Sequence, residues 1–182
     1  MNNTQRQSRA MKVWVTADTH FGDEKIIDFC KRPFKNVDEM NEVLIRQWNG
    51  LVGPEDMVWH LGDFGFGDKI QIQAWVAALN GEKRLIRGNH DTNSNQWYRD
   101  CGFLEVYDYP VVIKDFIILS HKPMDIINQH SVFGNIYGHV HDDERYIQTT
   151  AHTACVSTER WNFSPILLDE LLPKRTGGIC ER

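Results

Sequence analysis

The sequence predicts an α/β fold in which two mixed β-sheets pack face to face and helices lie outside. Three observations carry that prediction. Residues 12 to 87 alternate short β-branched or aromatic runs with helical patterns, whereas the chain from residue 106 onward is mostly strand-like. No internal repeat, low-complexity tract or linker divides it. Five of the strand-like runs end in polar blocks rich in Asp, Asn and His, which is where α/β sheets build their sites.

Residues 1–10 are polar and without periodicity, and read as a flexible leader before one domain over 11–182. KVWVTA (12–17) is a buried strand. A short helix follows over 24–30, ended by Pro33. Asp38 is an apt N-cap for a helix to about Trp48, with Met40, Val43, Leu44 and Trp48 near one face. DMVWHL (56–61) is a second strand. Lys69 to Asn80 is helical, with Gly81 as its stop. Arg84 to Arg87 is a third strand, and a looser region follows. Val106–Ile113 and Phe116–Ser120 are strands, the first bent or at an edge because of Pro110. Ile136–Tyr137 and Cys155–Thr158 complete the set.

Bulk properties exclude several function classes. The net charge is −5 and no basic stripe is present, so a long nucleic acid is not the expected partner. No apolar run is long enough to cross a bilayer, and the N-terminus lacks the apolar segment of a secretory signal. A cytoplasmic location is the expectation. Cys30, Cys101, Cys155 and Cys180 form no CxxC pair and read as free thiols.

The polar blocks are Asp18-Thr-His20, Gly62-Asp63, Gly88-Asn89-His90-Asp91, His121 and Gly138-His139-Val-His141. Carboxylate, imidazole and amide oxygen are ligands for first-row divalent metals. In an extended segment residues i and i+2 point the same way, so Asp18 with His20, and His139 with His141, can each aim two ligands at one place. Each block alone has an ordinary reading: a turn, a loop aspartate or a hydrogen-bonded histidine. Their ordered succession points to a metal site. Gly88 reads as the residue that permits a tight turn off its strand.

These blocks resemble the signature of the calcineurin-like metallophosphoesterases, with DTH at 18–20, GD at 62–63, GNHD at 88–91, SH at 120–121 and GHVH at 138–141. THFGDEKIIDFCKRPF, VWHLGDFGFG, LSHKPM and VSTERWNFSPILLDEL resemble a small bacterial and phage branch of that family. Members of the branch often carry histidine where Asp23 stands, so no role is carried over to Asp23. The resemblance implies the family's αββα sandwich and two divalent ions drawn from Mn, Fe, Zn or Ni. It implies that Asp18, His20 and His141 hold one ion, that Asn89, His121 and His139 hold the other, and that Asp63 bridges them. Two cations outweigh the ligand carboxylates and a bridging hydroxide, which favours an anionic ester. His90 would act on the phosphoryl or leaving oxygen, and Asp91 would hold the His90 ring.

The implied activity is hydrolysis of a phosphate mono- or diester of small size, with a nucleotide among the candidates. A non-catalytic interaction module of the same fold is the competing expectation. The remaining residues have ordinary readings. His60, alternating with Val58, reads as a satisfied strand histidine, and His130 and His152 as loop residues. Arg32 and Arg145 are candidate phosphate contacts, and Phe21, Phe64 and Phe66 are either loop anchors or stacking platforms.

Overall fold

The computed structural model describes residues 10–114, 116–124, 134–146 and 152–171. Most of the expected leader, with His130 and Cys180, lies outside the described residues. The first sheet has the order β4-β3-β2-β1-β9, with β1 (Val13–Thr16), β2 (Met57–His60), β3 (Glu82–Ile86), β4 (Glu105–Tyr107) and β9 (Ile166–Leu167). β1 to β4 are parallel and β9 is antiparallel to β1. The second sheet has the order β5-β6-β7-β8, with β5 (Val111–Ile113), β6 (Ile117–Ser120), β7 (Gly134–Tyr137) and β8 (Thr153–Cys155). Here β5 is antiparallel to β6, and the other pairs are parallel. The two-sheet α/β expectation is therefore met.

Strand alternation explains the layers. Trp14, Val58 and Leu85 point to a core shared with α1 (Glu24–Phe29), α2 (Val37–Leu51), α3 (Lys69–Ala78) and α4 (Asn95–Asp100). Their neighbours Val15, Trp59 and Ile86 point the other way, into a core with Ile117, Leu119, Ile136 and Ala154 of the second sheet. The first sheet is thus covered on both faces, as parallel strands require. Among the described residues no helix is long and apolar enough to cross a membrane.

Several expectations shift. Asn36, not Asp38, caps α2 by accepting from the Glu39 N–H. Asp38 lies inside the first turn, where its charge suits the helix dipole. The run Val106–Ile113 is not one strand: it divides around Pro110 into β4 and β5, which are edge strands of different sheets. Proline has no N–H to continue a ladder. The last strand of the second sheet ends at Cys155, because Thr158–Trp161 turns into a 3₁₀ helix. The region after β3 holds an unanticipated helix, α4, capped by the Ser94 hydroxyl on the Trp97 N–H. Cys30, Cys101 and Cys155 are buried free thiols.

Candidate metal centre

All the blocks arrive at one end of the two sheets because every strand that carries one runs the same way within its sheet. Asp18 and His20 follow β1, Asp63 follows β2 and Asn89 follows β3. His121 follows β6, and His139 and His141 follow β7. The backbone there is not extended. Asp18 (φ 59), His20 (φ 52), Asp63 (φ 55), His139 (φ 72) and His141 (φ 47) are left-handed. Among the described residues these are five of nine non-glycine positions with positive φ, so the strain collects at the centre. The paired ligands do converge, but by left-handed turns rather than by the period of a strand.

Two groups of side chains result. One ligand atom each from Asp18, His20 and His141 lie within 4.8 Å of one another, and so do those from Asp63, His121 and His139. Asp63 Oδ2 lies 3.7 Å from His20 Nε2 and 3.4 Å from His121 Nε2, so it faces both groups. Asn89 Oδ1 is 2.9 Å from His121 Nε2. Asp18 Oδ1 and His20 Nε2 are buried without a hydrogen-bond partner. Orphaned buried polar atoms are costly, and a cation among them is the partner they lack. The residues therefore fit the implied metals.

The motif glycines are explained by crowding. A Cβ on Gly88 would collide with the Asp63 carboxylate, and one on Gly138 would strike Ala17 and Asp18. Gly88 thus provides close approach to Asp63 rather than a positive φ.

Three histidine rings are oriented from behind. His20 Nδ1 meets Asp23 Oδ2 at 3.1 Å, and His141 Nδ1 meets Glu159 Oε1 at 2.9 Å. His121 Nδ1 meets the Leu61 carbonyl at 2.8 Å. Asp23 also caps α1 through the Lys25 N–H. Arg32 is no phosphate contact. It is buried, donates to Glu159 Oε1 at 2.9 and 2.6 Å, and holds the carbonyls of Asp18 and Thr19. Cys30 also lies near His141 and Glu159, but the Arg32 guanidinium already neutralises that carboxylate. Sequence reasoning missed the roles of Asp23 and Glu159.

Burial sets most of the protonation. It pushes the Asp18 carboxyl up to about 7, against the His141 charge and the Ser157 hydrogen bond. It lowers His20 to about 4, and lowers His121 and His139 as well. Neutral rings are the form that ligates. Burial also opposes charge on His141, yet hydrogen bonds to Cys30 and Glu159, with the Asp18 charge, carry it up to about 11.

Asp91 does not hold the His90 ring. Its carboxylate accepts from the N–H groups of Asp63 (2.7 Å), Gly88 (2.8 Å) and Phe64 (3.1 Å). It ties the loop after β3 to the loop after β2, because that is where unpaired backbone donors face it. Burial raises its pKa to about 6 although these bonds favour the charged form. His90 donates its own N–H to Asp63 Oδ1 at 2.9 Å, and its exposed ring sits 5.5 Å from the His20 ring. His60 is a buried strand histidine paired with the Thr19 hydroxyl at 2.9 Å. Phe21 and Phe64 are core, whereas Phe66 reaches the surface beside His20 and His90.

Three clefts open beside the candidate ligands. One of 570 Å³ runs past His139, His141, Lys122 and Arg145. The second, of 440 Å³, passes Asn89, His121 and Tyr109. The third, of 520 Å³, passes His20, His90 and His141 between Phe29 and Phe66. Arg145 is exposed in the first cleft and held by Asp143.

The sequence pattern of the calcineurin-like phosphoesterases matches residues 11–174. The uncharacterized protein MJ1445 of Methanocaldococcus jannaschii is 34% identical over 164 residues, 87% of this chain and 88% of that one. The Gene 66 protein of Mycobacterium phage L5 is 40% identical over 81 residues, 43% of this chain and 39% of its own. The crystal structure of AQ665 from Aquifex aeolicus, a protein of unknown function, superposes with a TM-score of 0.67 at 28% identity, covering 88% of this chain and 97% of that one.

Proposed function

The chain belongs to the calcineurin-like phosphoesterase family, and from that premise we propose that it hydrolyses a phosphate mono- or diester at a centre of two divalent cations. The observation that carries the reading is the position of Asp63 Oδ2, within 3.7 Å of a ring nitrogen from each ligand group. Among these residue types only a carboxylate can join two cations. Asp18, His20 and His141 would hold one ion, and Asn89, His121 and His139 the other. Mn, Fe, Zn or Ni suits this oxygen and nitrogen set. When bound, the two ions would offset phosphate charge and lower the pKa of water towards neutrality.

The chain's own residues do the rest. The His90 ring, exposed beside His20, would give a proton or hydrogen bond to the leaving oxygen. Its backbone N–H on Asp63 fixes that ring relative to the carboxylate between the ligand groups. Asp91 keeps the two loops in register, so it acts on position rather than on the proton. The competing reading, a non-catalytic interaction module, would leave the ligand set free to erode. Here all seven ligand positions are filled, which counts against it.

The test is His90→Ala on a chromogenic phosphodiester, with ions counted in the same sample. Turnover is expected to fall by about 10²–10⁴-fold with ion content unchanged. Wild-type turnover in that variant would remove His90 from the reaction.

A further inference from the structure

His90 singles out one of the three clefts. It lines the Phe29–Phe66 cleft and a smaller pocket of 190 Å³ that carries no candidate ligand, but neither of the two other clefts that open on the ligands. Under the proposed function His90 serves the leaving oxygen, so the leaving alcohol departs into this cleft. In the hydrolysis a water oxygen bonds to phosphorus. The bond to the ester oxygen breaks with its electron pair left on that oxygen, the His90 ring supplies the proton it gains, and the proton lost by water goes to solvent.

The walls of the cleft say what that alcohol carries. Phe29 is 79% exposed at the end of α1 and Phe66 is 39% exposed, and the buried Ile26 of α1 also lines the cleft. Phe66 already stacks on His20, with ring centroids 5.7 Å apart. An exposed phenylalanine at the mouth of a site costs the protein solubility and adds nothing to its core. Two such rings beside a proton donor form a sequence-tolerant platform for a flat ring. The cationic groups Lys122 and Arg145 line the neighbouring cleft, with which this one shares Phe29, and the one lysine in the lining of this cleft, Lys25, stands there with Asp23. A nucleoside fits a volume of 520 Å³.

We infer that the Phe29–Phe66 cleft is the leaving-group subsite and takes a nucleobase, so that the preferred substrates are nucleotide esters. The inference rests on the phosphoesterase reading and names its substrate class. Phe29 and Phe66 are specificity residues in this account.

Adenosine 5′-phosphate and ribose 5-phosphate test it, because they share the scissile bond and differ only in the base. Binding of each to the metal-loaded protein is measured by calorimetry, and hydrolysis of each is followed in parallel. The adenosine ester should bind about tenfold tighter. Phe29→Ala should bring the two within about threefold while leaving ribose 5-phosphate affinity unchanged, and Phe29→Trp should restore the preference. Phe66→Ala should act in the same direction. Equal binding in the wild type, or a preference that survives both alanine variants, overturns the subsite. If no phosphoester is hydrolysed while the preference and its loss are both seen, the phosphoesterase reading fails, and with it the leaving-group role, while the nucleobase site stands. Hydrolysis of both esters without a base preference has the opposite meaning.

Discussion

The two ligand groups are built differently. Around Asp18, His20 and His141, both imidazoles rest on carboxylates, Asp23 and Glu159. Asp18 Oδ2 also accepts from Ser157 and from the His139 N–H. Around Asp63, His121 and His139, the brace identified is a backbone carbonyl, that of Leu61, and Asn89 is exposed. A carboxylate behind an imidazole makes the ring a more basic ligand than a carbonyl does. The first group is therefore the half braced by carboxylates, and the second, with Asn89 exposed, is the half more open to solvent. Asp63 is common to both, which makes it the position where the two halves cannot be separated.

Substitutions can break or sharpen that contrast. The largest effect is expected at Asp63. Asp63→Asn should cost orders of magnitude in hydrolysis, about 10³-fold or more, and lower ion affinity in both halves. A variant that loses only one ion would show that Asp63 serves one half. Next come the carboxylate braces. Asp23→Asn should weaken one ion by about 10–100-fold and leave the other unchanged, as read by metal titration. Equal weakening of both would erase the contrast. Glu159→Gln should do the same, with an added stability cost from the buried Arg32.

Asp91 tests the loops that join the halves. Asp91→Ala leaves three backbone N–H groups without their acceptor, so the metal-free protein should lose about 3 kcal/mol or more in denaturant unfolding. Unchanged stability with reduced turnover would instead return Asp91 to the role of His90's partner. The smallest effect concerns pH. Burial, with the neighbouring His121 and His20 charges, lowers His60 to about 3. The folded state thus prefers the neutral ring. That preference is present above pH 6.5 and is lost as pH falls from 6.5 towards 3. His60→Leu should remove up to one proton from the uptake on unfolding across that window; an unchanged pH slope would contradict it.

The same contrast shows what the sequence makes legible. Every candidate ligand could be read because each follows a strand within a few residues and belongs to a short motif. The braces could not. Arg32 and Glu159 are 127 residues apart, and neither type is unusual on a surface. Asp23 was visible but carried no motif. For Asp91, adjacency to His90 suggests a local bond, whereas its carboxylate turns to the backbone after β2. Hydrophobic alternation gave the strands of the first sheet well. It failed at Pro110, where two edge strands share one apolar run, and at α4. The helix did have a signal in Ser94 and the Cys101-Gly102 stop.

The central claim is that one end of the two sheets holds two ions around Asp63. Anomalous scattering from manganese-loaded crystals tests it most directly. Two peaks are expected, roughly 3.5–4 Å apart, one among Asp18, His20 and His141 and the other among Asn89, His121 and His139, with Asp63 between. A single peak, or an ion seated instead at Cys30, His141 and Glu159, would contradict the account.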